Sequence, residues 1–118
     1  MAITFKKGPH IEGYYYFQVR DHTEMLLATS DFFSAGWKCL ASATCIIQGE
    51  PSIKVTGDAA DSWYFEIFAG SGSPTISEGT RLLTSERYTS PEQTEAAAKK
   101  FMEDAKKDGP DAPVVILS

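Results

Sequence analysis

The fold is decided by the segment Leu82-Leu83-Thr84-Ser85-Glu86-Arg87-Tyr88-Thr89-Ser90, because the chain also contains a looser copy of it, Leu27-Ala28-Thr29-Ser30-Asp31-Phe32-Phe33-Ser34. The two copies are offset by 55 residues. An aromatic run precedes each copy, Tyr14-Tyr15-Tyr16-Phe17-Gln18-Val19 in the first case and Trp63-Tyr64-Phe65-Glu66-Ile67-Phe68 in the second, and the runs align at an offset of 48. Both runs alternate in the manner of β-strands. Segments that recur in the same order predict a structural unit present twice.

The seven-residue difference between the two offsets falls in a single stretch, residues 70–81. This stretch begins with Gly70-Ser71-Gly72-Ser73-Pro74, and Gly and Pro are typical of turns and loops. Extra residues in a surface loop add little to the entropy of loop closure. We therefore predict two equivalent units that differ by one loop insertion.

A helix follows the second copy, and its ends are marked in the sequence. Ser90 is suited to cap the helix, Pro91 occupies the first helical position and Gln93 completes a capping box. Gly109 and Pro110 predict where the helix ends. A first helix is predicted at the corresponding place, over about residues 35–48.

Short strands are predicted after each helix, at 53–55 and 114–117, and a further strand at 3–5 precedes the first unit. Each unit of about sixty residues is marginal for a core of its own. We therefore predict one domain, residues 1–118, made of two repeats, about 1–58 and 59–118, with Asp58-Ala59-Ala60-Asp61 as the link. Short connections between successive strands favour antiparallel pairing and an α+β fold with both helices on one face.

The aromatic strand, the segment Leu-x-Thr-Ser-Glu-x-Tyr-Thr-Ser at 82–90 and the Ala-rich helix after it resemble the YegP-like family of small bacterial and archaeal proteins of unknown function. The resemblance covers about residues 13–118. It implies a β-β-β-α-β unit present twice, as a tandem repeat or as two subunits, with one sheet and exchanged final strands. In tandem form, 114–117 pairs within the first half of the sheet and 53–55 within the second. The resemblance supplies no catalytic residues, and the long 70–81 loop and Ala35-Gly36 at the first helix start depart from the family pattern.

Composition excludes several classes of function. The formal net charge is −5, with −1 in residues 1–58 and −4 in residues 59–118, so neither half offers the basic face that nucleic-acid binding requires. No apolar run is long enough to span a membrane and none resembles a signal peptide. Two cysteines are too few for a disulfide framework. We expect a cytoplasmic protein that contacts neither nucleic acid nor membrane.

Residues that could carry chemistry have structural explanations. His10 and His22 lie in predicted turns without metal-ligand neighbours, and Cys39 and Cys45 are six residues apart, on different sides of a helix. Each of the pairs Ser30-Asp31 and Ser85-Glu86 lacks a nearby base in sequence, so we expect these serines to bond backbone groups. No catalytic residue, metal site or cofactor is predicted.

One face of the sheet is the strongest candidate for contact with a partner. Alternation places Tyr15, Phe17, Val19, Trp63, Phe65 and Ile67 on one side and a mixed set on the other: Tyr14, Tyr16, Gln18, Arg20, Tyr64, Glu66 and Phe68. Rows of aromatic side chains either bind partners or only stabilise an exposed sheet. The first helix also has a single charge, Lys38, and carries Trp37, so it is either buried more tightly within the monomer or covered by a second copy.

The predicted function is therefore that of a non-enzymatic module that binds itself, as a homodimer, or another protein. The candidate contact residues are Tyr14, Tyr16, Arg20, Trp37, Tyr64 and Phe68. The alternative is a small-molecule-binding protein or small enzyme with a pocket under the 70–81 loop, where Glu78, Arg81 or Glu86 would supply polar groups.

Overall fold

The computed structural model describes residues 3–7, 13–48, 50–70, 76–108 and 114–115. Seven strands and two helices are present in these ranges. Their bounds are β1 Ile3–Lys7, β2 Phe17–Asp21, β3 Leu26–Ser30, α1 Gly36–Gln48, β4 Ser52–Ala59, β5 Ser62–Phe68, β6 Arg81–Ser85, α2 Pro91–Asp108 and β7 Val114–Val115.

The strands form one sheet in the order β4-β5-β6-β3-β2-β1-β7. The first six strands pair antiparallel with their neighbours, and β7 lies parallel to β1. The α+β class and the largely antiparallel sheet predicted from the sequence are thereby confirmed. In this order β4 pairs with β5 at one edge, while β7 pairs with β1 at the other.

The strand predictions hold with changed bounds. A strand does begin at Ile3, and the run at 53–55 is part of the longer β4. The segment Asp58-Ala59-Ala60-Asp61 is not a link between units, because its first two residues end β4 and its last two form a tight turn into β5. Residues 116–117 of the predicted last strand, residues 109–110 of the predicted helix end and His10 lie outside the described residues.

The core lies between the sheet and both helices. The buried strand residues include Phe17, Val19, Phe65 and Ile67, which alternation had assigned to one face. Helices α1 and α2 contribute one side of their surface to the same core. These buried helical residues are Cys39, Ala43, Ile46, Ile47, Ala98, Phe101 and Ala105. Their spacing of three and four residues is that of a helix packed on one face.

The N-terminus of α2 is capped almost as the sequence predicts. The Ser90 hydroxyl accepts the backbone N–H of Gln93 at 3.2 Å. The return bond is displaced by one residue, because the Gln93 amide oxygen accepts the backbone N–H of Thr89 at 3.2 Å and its hydroxyl at 2.6 Å. The helix therefore starts at Pro91, with the capping contacts spread over Thr89 and Ser90.

The centre of the sheet is nearly symmetric about the pair β3 and β6. Thr29 lies opposite Thr84, and the flanking pairs are Ala28 with Ser85 and Ser30 with Leu83. Equivalent residues of β3 and β6 are 55 positions apart. If each residue is replaced by its equivalent in the other strand, the same three pairs result. Register shifts also occur at corresponding places, between Val19 and Arg20 and between Ile67 and Phe68, which are 48 residues apart.

Candidate functional site

Ser30 and Ser85, the serines of the two Ser-acid pairs, bond the backbone. The Ser30 hydroxyl accepts the backbone N–H of Phe17 at 2.8 Å and donates to the carbonyl of Asp31 at 2.9 Å. Ser85 does the same with Phe65 and Glu86, at 2.9 Å each. Both serines are buried, and the bonds satisfy N–H groups that would otherwise be unpaired. The structural prediction for these pairs is confirmed, although the bonded N–H groups belong to neighbouring strands and not to the turn before the helix.

The tyrosines of the predicted aromatic face lie in different environments. Tyr16 is 8% exposed and packs edge-on against Phe32, with 5.3 Å between ring centroids. Phe32 also contacts the ring of Tyr14 at 6.4 Å, and Phe32 and Tyr14 are each half exposed or more. Tyr14, Tyr16 and Phe32 together form an aromatic cluster. Its exposed members are Tyr14 and Phe32. Sequence reasoning missed Phe32 because alternation within one strand gives no information about a residue in the following turn.

Arg81, the first residue of β6, lies on the open face of the sheet. Its Nε donates to both carboxylate oxygens of Asp31, at 3.0 and 3.1 Å, and its Nη1 lies 3.3 Å from Oε2 of Glu66. The hydroxyl of Thr56 donates to Oε1 of Glu66 at 3.1 Å. Glu66 is buried, so these bonds offset the cost of removing its charge from water. The hydrogen bonds and charge of Asp31, followed by those of Glu66, raise the pKa of Arg81 further above its usual value.

Arg81 therefore links Asp31 and Glu66, two acids that neither the alternation nor the repeat places side by side.

Of the other polar groups predicted for a pocket under the 70–81 loop, Glu78 and Glu86 are exposed. The backbone N–H of Glu86 bonds the carbonyl of Leu27 at 3.0 Å. Residues 71–75 of that loop lie outside the described ranges.

The remaining predicted contact residues of the sheet are engaged within the protein. The guanidinium carbon of Arg87 lies 4.1 Å from the centroid of the Tyr64 ring, and Arg87 also pairs with Asp58. Arg20 donates to the carbonyl of Glu24 and to the amide oxygen of Gln18, both at 2.9 Å.

Phe68 is half-buried and lies opposite Arg81 in the register of β5 and β6. The structure thus brings Phe68 and Arg81 together at the strand ends. Like Tyr64 and Arg20, Phe68 offers only part of its surface to a partner.

Helix α1 presents two large apolar side chains to solvent. Trp37 is 58% exposed and Leu40 is 47% exposed, and a spacing of three residues places them on the same side of the helix. The Lys38 ammonium lies 5.7 Å from the centroid of the Trp37 ring. The helix has no acidic residue in its first turn and no basic residue in its last. Leu40 was not among the predicted contact residues, although its spacing from Trp37 would have identified it.

A cavity of about 180 Å³ lies between the sheet and α2, away from the 70–81 loop. Its lining residues are Asp21, His22, Leu27, Phe65, Tyr88, Ala97, Lys100, Phe101 and Asp104. Burial, with a smaller effect of the Glu86 charge, raises the pKa of the Tyr88 hydroxyl. The sequence did not predict this cavity, since its residues come from four separate segments of the chain.

Neither cysteine forms a disulfide, and Cys39 is buried in α1. Burial raises the pKa of its thiol to about 11, so the thiolate that nucleophilic chemistry requires is disfavoured. Within the described residues no group of three or more His, Cys, Asp or Glu side chains is placed to hold a metal ion. Among those residues, too, no helix is long and apolar enough to cross a membrane.

Comparisons with known proteins give a likeness at the level of structure. No family model and no curated protein matches the sequence. The chain superimposes on the solution NMR structure of UPF0339 protein SO3888 from Shewanella oneidensis with a TM-score of 0.72, over 92% of this chain and 89% of that chain. The sequence identity is 15%. The likeness is one of fold.

Proposed function

We propose that the protein is a non-enzymatic module that self-associates through the exposed face of α1, defined by Trp37 and Leu40. The carrying observation is the exposure of these two large apolar side chains, one helical turn apart, on a helix with a single charged residue. Exposed Trp residues in apolar surroundings are typical anchors of protein interfaces. In a symmetric dimer, the same helix face of each copy meets at a two-fold axis, so each copy covers the apolar surface of the other.

The distribution of charge favours a second copy as the partner. Helix α1 lies in residues 1–58, which carry a net charge of −1, whereas residues 59–118 carry −4. The helix itself carries a single charge, Lys38, so two copies that meet through α1 bring few like charges into contact. Ala41 and Thr44 lie one turn further along the helix, on the side of Trp37 and Leu40, and Thr44 is exposed.

Light scattering after size-exclusion chromatography, over a range of protein concentrations, tests this proposal. We expect a mass that rises from 12.9 kDa towards twice that value, and a return to the monomer on changing Trp37→Lys. The matched control is Met25→Lys, which adds the same charge at an exposed apolar residue of the β2–β3 turn and leaves the dimer intact. A monomer at every concentration, or equal effects of the two variants, contradicts the proposal.

The aromatic cluster is the second contact surface, which we assign to binding another protein. Tyr14 and Phe32 are exposed and contact each other, while Tyr16 is buried and packs against Phe32. Tyr14→Ser and Phe32→Ser are better probes than a change of Tyr16, whose loss also removes buried packing. Unchanged partners in a pull-down with the double variant contradict this role.

We also propose that the chain is a divergent relative of the YegP-like family and a tandem repeat of β-β-β-α-β units within one domain. The fold likeness to the UPF0339 protein supports the first point. Three correspondences support the second: the symmetric register of β3 and β6, the paired register shifts and the shared serine bonds. Only β5 and β6 precede α2 in the second half, so in this proposal β4 ends the first unit and begins the second. The place of β4 beside β5 and of β7 beside β1 then fits exchanged final strands. Two reduced cysteines fit a cytoplasmic location.

A further inference from the structure

The cavity beside α2 has an apolar floor and a charged rim. Leu27, Phe65 and Phe101 form the floor together with Ala97, which lies on the same side of α2 as Phe101. The volume of about 180 Å³ is larger than the roughly 150 Å³ of an apolar cavity known to bind benzene. A body of about ten heavy atoms can therefore enter this space.

The corresponding place in the other half of the molecule is closed. Leu82 and Ser42, the counterparts of Leu27 and Ala97 at the offset of 55, are fully buried, whereas Leu27 and Ala97 are only partly buried. The longer β5–β6 connection also packs Ile76 against the core. The shorter β2–β3 turn has Met25 as its apolar side chain, and Met25 is exposed. Among the described residues, the space beside Leu27 and Ala97 therefore has no open counterpart at Leu82 and Ser42.

Asp21 is fixed at the mouth of the cavity with one oxygen available. Its Oδ1 accepts the backbone N–H and the hydroxyl of Thr23, at 2.8 and 2.6 Å, and the backbone N–H of Met25 at 3.1 Å. These bonds, the hydroxyl of Thr23 above all, hold the pKa of Asp21 below its usual value. Among the described residues no donor contacts Oδ2, so this oxygen is left to bind a ligand.

The rest of the rim adds no net charge. Asp104 is mostly buried and accepts a bond from the Lys100 ammonium at 3.0 Å, so these two charges offset each other. The formal charge of the rim is counted with histidine neutral, as for the whole chain. With Asp21 included, the rim carries a net charge of −1 at neutral pH, which attracts a cation and repels an anion.

We propose that this cavity binds a small organic amine, with an aromatic or aliphatic body against Leu27, Phe65 and Phe101 and its ammonium group bonded to Asp21. The site is separate from the face of α1 and does not depend on self-association. Tyr88 is also among the lining residues.

Calorimetric titration with three matched probes tests the class of ligand: 2-phenylethylamine, phenylacetate and ethylbenzene. We expect the amine to bind about tenfold more tightly than the other two, which corresponds to about 1.4 kcal/mol. Binding of phenylacetate with equal or higher affinity overturns the assignment of charge. Equal affinity for ethylbenzene overturns the role of Asp21, and the absence of binding by all three overturns the site.

Two variants locate the binding site. Asp21→Asn is expected to reduce the affinity for the amine about tenfold and to leave that for ethylbenzene unchanged, a difference that loss of folding would not produce. Ala97→Leu fills the cavity and is expected to abolish binding, whereas Ala96→Leu, at the exposed neighbouring position of the same helix, does not. Equal effects of the two leucines, or none of Asp21→Asn, overturn the proposal.

Discussion

At the scale of single residues, burial determines the chemistry of the side chains more than their type does. Two serines beside acids look like catalytic pairs in the sequence, yet both hydroxyls are used up by backbone bonds. Glu66 is buried on the open face, where Arg81 and Thr56 bond its carboxylate and offset the cost of burying its charge. Cys39 is kept protonated because its thiol is surrounded by apolar groups.

The thiol of Cys39 predicts a loss of stability at high pH. Its pKa is about 11 in the folded protein, above the ordinary value of 9.0. Because the folded state disfavours the thiolate, this contribution to stability is complete below pH 9 and is lost as the pH rises through about 11. The free energy at stake is of the order of 2 kcal/mol.

Urea unfolding at pH 8 and pH 10.5 measures this effect. The wild type is expected to lose more stability between the two pH values than Cys39→Ala, which has no thiol to ionise. Cys45→Ala, on the same helix, controls for the removal of a cysteine and should behave as the wild type does. The same pH dependence in wild type and Cys39→Ala would show that the thiol is not involved.

At the scale of elements, the two helices occupy corresponding places and begin differently. Helix α2 begins after Ser90, whose hydroxyl accepts an N–H of the first turn. At the corresponding place before α1 stands Ala35, which offers only its carbonyl, to the N–H groups of Lys38 and Cys39 at 3.2 and 3.3 Å. The first turn of α1 therefore lacks the side-chain cap that α2 has.

Exchanging the two caps should have opposite effects. We expect Ser90→Ala to lower the free energy of unfolding by about 1 kcal/mol and Ala35→Ser to raise it by about 0.5 to 1 kcal/mol. Urea unfolding followed by circular dichroism measures both, with Ser52→Ala, at an exposed serine of β4, as the control. Destabilisation by Ala35→Ser would mean that the first turn of α1 cannot accept a cap.

At the scale of the whole molecule, the halves are joined by the pairing of β3 with β6 and by a shared core. Two backbone hydrogen bonds extend the pairing of β3 with β6. The N–H of Asp31 donates to the carbonyl of Leu82 at 3.1 Å, and the N–H of Glu86 donates to the carbonyl of Leu27 at 3.0 Å. A half that unfolded alone would expose this buried surface. The halves should therefore unfold together.

The two tryptophans allow each half to be observed separately. Trp37 lies in α1 and Trp63 in β5, so Trp63→Phe leaves a probe of the first half and Trp37→Phe leaves a probe of the second. Each variant is expected to have the same urea midpoint by fluorescence as by circular dichroism, which reports on the whole chain. Fluorescence midpoints that differ from the circular dichroism midpoint in either variant would show that the halves are independent.

The sequence by itself determined the local elements: the approximate positions of the strands, both helices, the start of α2 and the side of β2 and β5 that enters the core. These follow from the periods of two and 3.6 residues, which depend on the geometry of the neighbouring backbone. The 70–81 insertion was also visible, since it breaks an otherwise constant offset.

Only the tertiary structure decided which groups remain available to a partner. Tyr16 is covered by Phe32, Arg81 is bound to Asp31 fifty residues away, and the cavity joins the β2–β3 turn to α2. Exposure and ion pairing depend on contacts between segments far apart in the chain, and local periodicity carries no information about them. For this reason the sequence identified the sheet face and α1 as candidate surfaces, while the cavity appears only in the folded protein.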